Sequence, residues 1–511
     1  MIAKINSVGL SGLQGFSIQA EVDVSPGIPT WDIVGMPDIA VRESKERIRT
    51  AVKQSGFMIP GKRMVVNLAP ADVKKEGAYL DLPIAIGILV ASEQLKIANL
   101  DNCAFFGELS LDGKLRGVRG ALPMTITAYQ SGKKRIFLPA ENAKEAAVVA
   151  GAEVYGVESL NELISYFCGE CFLKPTKVDV DELFRQAAMH ELDFCEVKGQ
   201  KNAKRALEVA AAGGHNVLLI GPPGSGKTML AQRIPSILPE LSFEEALEVT
   251  KVHSIAGKLT KGQPMVLTRP FRSPHHTVSP VGLTGGGATP KPGEVSLAHH
   301  GVLFLDELPE FQKQALEILR QPLEDGTVSI TRANGTFAYP CNVMLVASMN
   351  PCPCGYYGDK THSCSCAPGQ IKKYLGKVSG PLLDRIDLHI EVSAVPYEEL
   401  EKKKELAETS AEIKKRVNSA RRMQMERYKG TGIYSNSQLT PALMDEFCAL
   451  KPDGAELLKQ AFESLGLSAR AHNRILKVAR TIADLAGSEQ IEAVHIAEAI
   501  QYRSLDRKFW A

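Results

Sequence analysis

Eight consecutive residues, Gly221, Pro222, Pro223, Gly224, Ser225, Gly226, Lys227 and Thr228, have the types and spacing of a phosphate cradle, G-x-x-x-x-G-K-T. The glycines let the backbone curl until its N–H groups face phosphate oxygens, and a following helix N-terminus adds partial positive charge. Lys227 is placed to neutralise β- and γ-phosphates, and the Thr228 hydroxyl to hold Mg²⁺. Downstream, the apolar run Val302-Leu-Phe-Leu305 ends in two carboxylates, Asp306 and Glu307. Adjacent acids suit hydrolysis better than simple nucleotide holding: Asp306 serves the metal and Glu307 polarises the attacking water. A third group is Cys352, Cys354, Cys364 and Cys366, spaced C-x-C-x9-C-x-C. Four thiolates suit tetrahedral Zn²⁺, and His362 could replace one of them. Free buried cysteines or a labile disulfide are the alternatives. Four sulfur ligands would leave no open coordination position, so the group is not catalytic.

These residues need elements to hold them. Val217-Leu-Leu-Ile220 reads as a buried strand and Met229 onward as a helix, giving the strand–loop–helix context that a phosphate loop requires. Residues 1–170 alternate strand and helix signals: period-two alternation at Ile18–Val24, helical spacing at Ile39–Gln54, a strand at Met64–Leu68, an apolar helix at Leu80–Gln94, and a strand at Arg135–Leu138 before a helix from Glu141. Polar residues 171–192, with Pro175, read as a linker. Residues 193–395 form a second α/β block with the phosphate loop, and 396–511 read as helical throughout. The fold class is therefore α/β with a C-terminal helical domain.

At 511 residues, 44% hydrophobic and 23% charged, the composition is that of an ordinary globular protein. A net charge of +2 means that nucleic-acid binding would rest on local basic patches. Leu82–Ala91, interrupted by Pro83 and Gly87, is too short to span a bilayer, and no signal peptide is visible. Six scattered cysteines and one tight group fit a reducing cytoplasm better than a disulfide framework.

The order of motifs resembles that of the AAA+ ATPases: phosphate loop, acidic strand, Val343-Met-Leu-Val-Ala-Ser-Met-Asn350, then Leu382-Leu-Asp-Arg385-Ile-Asp. The resemblance implies that Asn350 is sensor 1, positioning the lytic water. It implies that Arg385 is an arginine finger reaching the γ-phosphate of a neighbouring subunit, and that Arg470, in Leu467-Ser-Ala-Arg, is sensor 2. Arg269–Glu294 looks like a helix-2 insert. Leu319–Thr336 looks like a pre-sensor-1 hairpin turning at Asn334-Gly335. Both are similar to elements of the clade shared by magnesium chelatase subunits and MCM helicases. There the hairpin faces a pore, which makes Arg332 the candidate for a DNA phosphate contact.

Over nearly the whole chain the sequence resembles the ComM/YifB group of magnesium-chelatase-like proteins, through Phe271-Arg-Ser-Pro-His-His-Thr277, Asn350-Pro-Cys-Pro-Cys-Gly-Tyr-Tyr-Gly-Asp359 and Tyr502-Arg-Ser-Leu-Asp-Arg507. That implies a hexameric ATP- and Mg²⁺-dependent ring motor on single-stranded or branched DNA, a helicase promoting branch migration. An ATPase remodelling a protein partner, as in magnesium chelatase, is the alternative. The N-terminal block resembles the Lon proteolytic domain at Lys75–Ala85, Gly107–Arg116 and Leu138–Lys144. Where Lon carries its serine and lysine, this chain has Tyr79 and Leu122, which cannot perform that chemistry.

Overall fold

The computed structural model describes residues 2–187, 192–287, 290–332, 335–359, 362–395, 408–465 and 468–510. Expectations that fall on Asn334, Leu467, residues 188–191 and 396–407 lie outside the described residues. The chain divides into two compact units.

The first unit comprises Met1–Gln186 with two later segments, Phe243–Leu267 and Thr331–Tyr339. Its four-stranded sheet has the order Ile2–Ser11, Gln14–Ser25, Arg63–Ala69, Thr30–Val34, antiparallel except for the last pair. The helix Ile39–Gln54 begins at Asp38, whose carboxylate accepts from the Val41 amide at 2.8 Å. The apolar helix Asp81–Ala91 is buried on nearly all faces. It stops three residues short of the sequence reading because Glu93 takes a left-handed conformation (φ +62), which ends the helical hydrogen-bond pattern. Buried Asp81 is answered by Arg47 through two hydrogen bonds of 2.7 and 2.9 Å. Burial nevertheless pushes its carboxyl up to about 6. A parallel sheet of Cys103–Phe105, Arg135–Pro139 and Glu153–Val157 stacks Phe105, Phe137 and Tyr155 along one face.

The segment Phe243–Leu267, read from sequence as part of the ATPase block, packs in this first unit. Its helix Phe243–Ala256 lies against the helix Ala121–Gln130. The Ser254 hydroxyl donates to the buried Glu145 carboxylate, and its carbonyl accepts from the Gly120 amide at 3.3 Å. Residues 171–192 also depart from a plain linker. Val180–Ala187 is a helix, started by Asp179 accepting from the Glu182 amide at 2.9 Å.

The second unit holds the phosphate loop. Five parallel strands, β1 (Val217–Ile220), β2 (Phe271–Arg272), β3 (Val302–Leu305), β4 (Met344–Met349) and β5 (Leu388–Glu391), stand in the order 2-3-4-1-5. Strands β1, β3 and β4 are buried throughout, which is why they read as continuous apolar runs and not as alternating ones. The C-terminal helices share one hydrophobic core with this sheet: Ile413, Val417, Ile475 and Val478 belong to the same cluster as Val217 and Val346. The helix Ser410–Arg427 starts with a reciprocal capping box between Thr409 and Glu412. No helix among the described residues is long and apolar enough to cross a membrane.

Candidate functional site

Strand β1 delivers the chain to Gly221, where a side chain would overlap the Val392 carbonyl oxygen. Gly224 (φ +75) and Gly226 (φ +91) take the left-handed turns that bend the loop, with open space around both. The helix Lys227–Ile237 begins immediately afterwards, so its free amides face the loop. Lys227 is buried. Its ammonium donates to the carbonyls of Gly221 (2.7 Å) and Pro222 (2.9 Å) and to Asn350 Oδ1 (3.2 Å). Burial pulls it down to about 8, partly offset by Asp306 and Glu307. A buried cation held by carbonyl and amide oxygens, without a directly paired carboxylate, fits an incoming phosphate.

Asp306, at the end of β3, accepts from the Thr228 hydroxyl at 2.8 Å and from the Ser348 hydroxyl. It also accepts from the Glu307 amide at 3.1 Å. Thr228 and Asp306 thus bring together the hard oxygen donors that Mg²⁺ prefers. Glu307 has φ +54, a conformation that costs a non-glycine residue about 1 kcal/mol or more. Its exposed carboxylate stands 3.6 Å from His276 Nδ1. Asn350, just beyond β4, completes the group around Lys227.

The arginines lie elsewhere. Arg385 is buried, its guanidinium donating to the carbonyls of Arg320 (3.0 Å) and Pro381 (2.6 Å) and pairing with Glu324. Exposed Arg470 pairs with Asp384 at 3.3 Å. Both line a cavity of about 610 Å³ with Asn216, Glu324, Arg474 and Lys477, and no residue of the phosphate loop borders it. Asp387, two residues past Arg385, is fixed by Arg474 and by His215. Burial alone would raise its carboxyl, but the Arg474 charge and the His215 hydrogen bond hold it well below the usual carboxylate range.

Arg332 is exposed at the end of the hairpin strand Thr327–Arg332, whose Val328 and Ile330 are buried; Gly335–Pro340 is the partner strand. The four cysteine sulfurs all lie within 4.8 Å of one another, with Cys352 3.3 Å from Cys354 and 3.6 Å from Cys364. Those separations exceed a disulfide bond of ~2.05 Å and approach the ~3.8 Å edge of a zinc tetrahedron with 2.3 Å bonds. His362 is not in the group; it stacks on Tyr356. In the first unit Tyr79 packs partly buried and Leu122 is wholly buried. The Ser110 hydroxyl is bonded to Asp112 and to the Lys114 carbonyl.

Sequence reading missed His276, Ser348, Asn216 and Gln200. Asn216 donates to the Arg385 carbonyl at 2.8 Å, tying the Arg385 segment to β1. Gln200 bridges the Ser225 and Ser393 carbonyls at 3.2 and 2.6 Å from a left-handed turn (φ +56). A polar residue beside a glycine, as in Gly199-Gln200, was the one local signal available for it.

Three magnesium chelatase family models match in chain order: subunit ChlI of Mg-chelatase at residues 20–142, magnesium chelatase subunit ChlI at 193–400, and its C-terminal part at 407–503. The chain is 44% identical to competence protein ComM of Haemophilus influenzae, over 99% of this chain and 98% of the relative. It belongs to the ComM/YifB family of magnesium-chelatase-like AAA+ ATPases. Similarity to YifB of Escherichia coli is likewise 44%, over 97% of this chain and 96% of that protein. The Lon-like character of this ComM/YifB member is confined to one region: 28% identity to Lon protease of Mesomycoplasma hyopneumoniae covers 28% of the chain and 17% of that protein.

Proposed function

We propose that the chain is an ATP-hydrolysing ring motor acting on single-stranded or branched DNA in the cytoplasm, a hexameric helicase that promotes branch migration in transformation or recombination. The observation that carries the ring is the separation of Arg385 and Arg470 from the phosphate loop. They share a cavity that no residue of 221–228 borders, as residues would that serve a neighbour's nucleotide. A relative named as a competence protein supports the DNA substrate. In this reading the loop amides and Lys227 hold the phosphates, and Thr228 and Asp306 hold Mg²⁺, which supplies charge neutralisation at the transferring phosphoryl group. Glu307 takes the proton of the attacking water while Asn350 orients it. The four cysteines hold a structural Zn²⁺.

ATPase rate titrated with single-stranded, duplex and branched DNA tests this. DNA should stimulate turnover, and Arg332→Ala should reduce the stimulated rate more than the basal one through a lost phosphate contact. Lys227→Ala, which removes phosphate neutralisation, sets the zero. No stimulation by any DNA form would turn the reading to an ATPase remodelling a protein partner.

The Lon-like unit serves as a scaffold without proteolytic activity, since Tyr79 and Leu122 offer neither nucleophile nor base. Incubation with casein and ATP should leave the casein intact. Cleavage that persists in Ser110→Ala would place a dyad elsewhere and end this assignment.

A further inference from the structure

The loop that carries the four cysteines also touches the phosphate loop. It runs from Asn350 to the helix Pro368–Leu375 without helix or strand among its described residues, a length uncommon in a compact domain unless something internal holds it. Gly355, at φ +89, lies directly on Pro223: a side chain there would overlap Pro223 Cδ and stand 2.8 Å from its Cγ. Two of the cysteines immediately precede this contact, Cys352 fully buried and Cys354 next to Gly355. On its other side the loop meets the chain's last helix, with Tyr357 and Phe509 ring centroids 6.3 Å apart. The Cys354 amide donates to Cys366 Sγ at 3.4 Å and the Cys366 amide to Cys364 Sγ at 3.5 Å, so backbone donors fix two of the four sulfurs in place.

We infer that a zinc ion held by Cys352, Cys354, Cys364 and Cys366 acts as a clamp on the nucleotide site, pinning Gly355 against Pro223 and so holding the phosphate loop in its binding shape. This rests on the reading of residues 221–228 as the nucleotide cradle. The physical reason is cross-linking. Four metal–sulfur bonds tie both ends of the loop to one point, and that point is two residues from Asn350, whose amide oxygen bonds Lys227. Without metal, no covalent or coordinate bond fixes where Gly355 stands, and Pro223 loses its backing. The ion's role is structural, since the four sulfurs fill its coordination.

Elemental analysis of the full-length chain, with titration of a fluorescent ADP analogue before and after chelation, tests the clamp. About one zinc per chain is expected. Stripping should raise the analogue's Kd about tenfold, and added Zn²⁺ should restore it. Gly355→Ala keeps all four thiols, so it should bind zinc normally yet weaken the analogue to a similar degree; it decides the matter if the stripped chain unfolds. Metal-free protein with four freely titratable thiols overturns the site. Unchanged affinity after stripping, or in zinc-loaded Gly355→Ala, overturns the clamp. A zinc-loaded chain with no affinity for the analogue would overturn the nucleotide cradle and the clamp together while leaving the zinc stoichiometry standing.

Discussion

Arg385→Ala should lower ATP turnover by about 10³- to 10⁵-fold while nucleotide binding persists, the range expected when an arginine finger is removed. Lysine should not rescue it, because a point charge cannot reproduce the fork of a guanidinium. The residue is held ready in an unusual way. Two backbone carbonyls fix its orientation, and Glu324, more than half exposed, neutralises it. A phosphate that displaced Glu324 would keep the buried guanidinium neutralised, so the exchange would leave no unpaired buried charge. Mixing Arg385→Ala with Lys227→Ala chains should recover some turnover, since a junction can then pair an intact phosphate loop with an intact finger. Full-rate hydrolysis by Arg385→Ala at nanomolar concentration would show that each site is complete within one chain.

Glu307→Gln should slow turnover by about 10²- to 10⁴-fold and leave ATP bound, the scale of a lost general base. The change touches one charge only. Thr228, Ser348 and the residue 307 amide would still bond Asp306, so the metal side of the site survives. The strained backbone at residue 307 also persists in the variant, which isolates the carboxylate from its placement. Rapid filtration with labelled ATP reads binding, and phosphate release reads turnover. Equal rates in the variant and the parent chain would remove Glu307 from its role.

Much of this arrangement is legible in one dimension because its parts are local. The phosphate loop is eight contiguous residues, β1 and β3 are unbroken apolar runs, and the helix Ile39–Gln54 has the bounds that its spacing predicts. What escaped reading depends on distant chain meeting in space. Ser348 sits in the middle of an apolar strand and gains meaning only because β4 lies beside β3, which points Asp306 at it. His276 reaches Glu307 across an insert with little regular structure, and Asn216 reaches Arg385 through strand order alone. The helix Val180–Ala187 escaped for the opposite reason: its polar composition masked a sound Asp179 cap.

The two units are interleaved in sequence. Phe243–Leu267 and Thr331–Tyr339 leave the ATPase unit, join the first unit and return. A cut anywhere in residues 171–192 would therefore not liberate two autonomous pieces. The N-terminal fragment would lack Ser254, leaving the buried Glu145 carboxylate short of one donor, and the C-terminal fragment would carry the Phe243–Ala256 helix with its buried face exposed to water. Removing the Lon-like block from this chain would take away the helix Ala121–Gln130 against which Phe243–Ala256 packs.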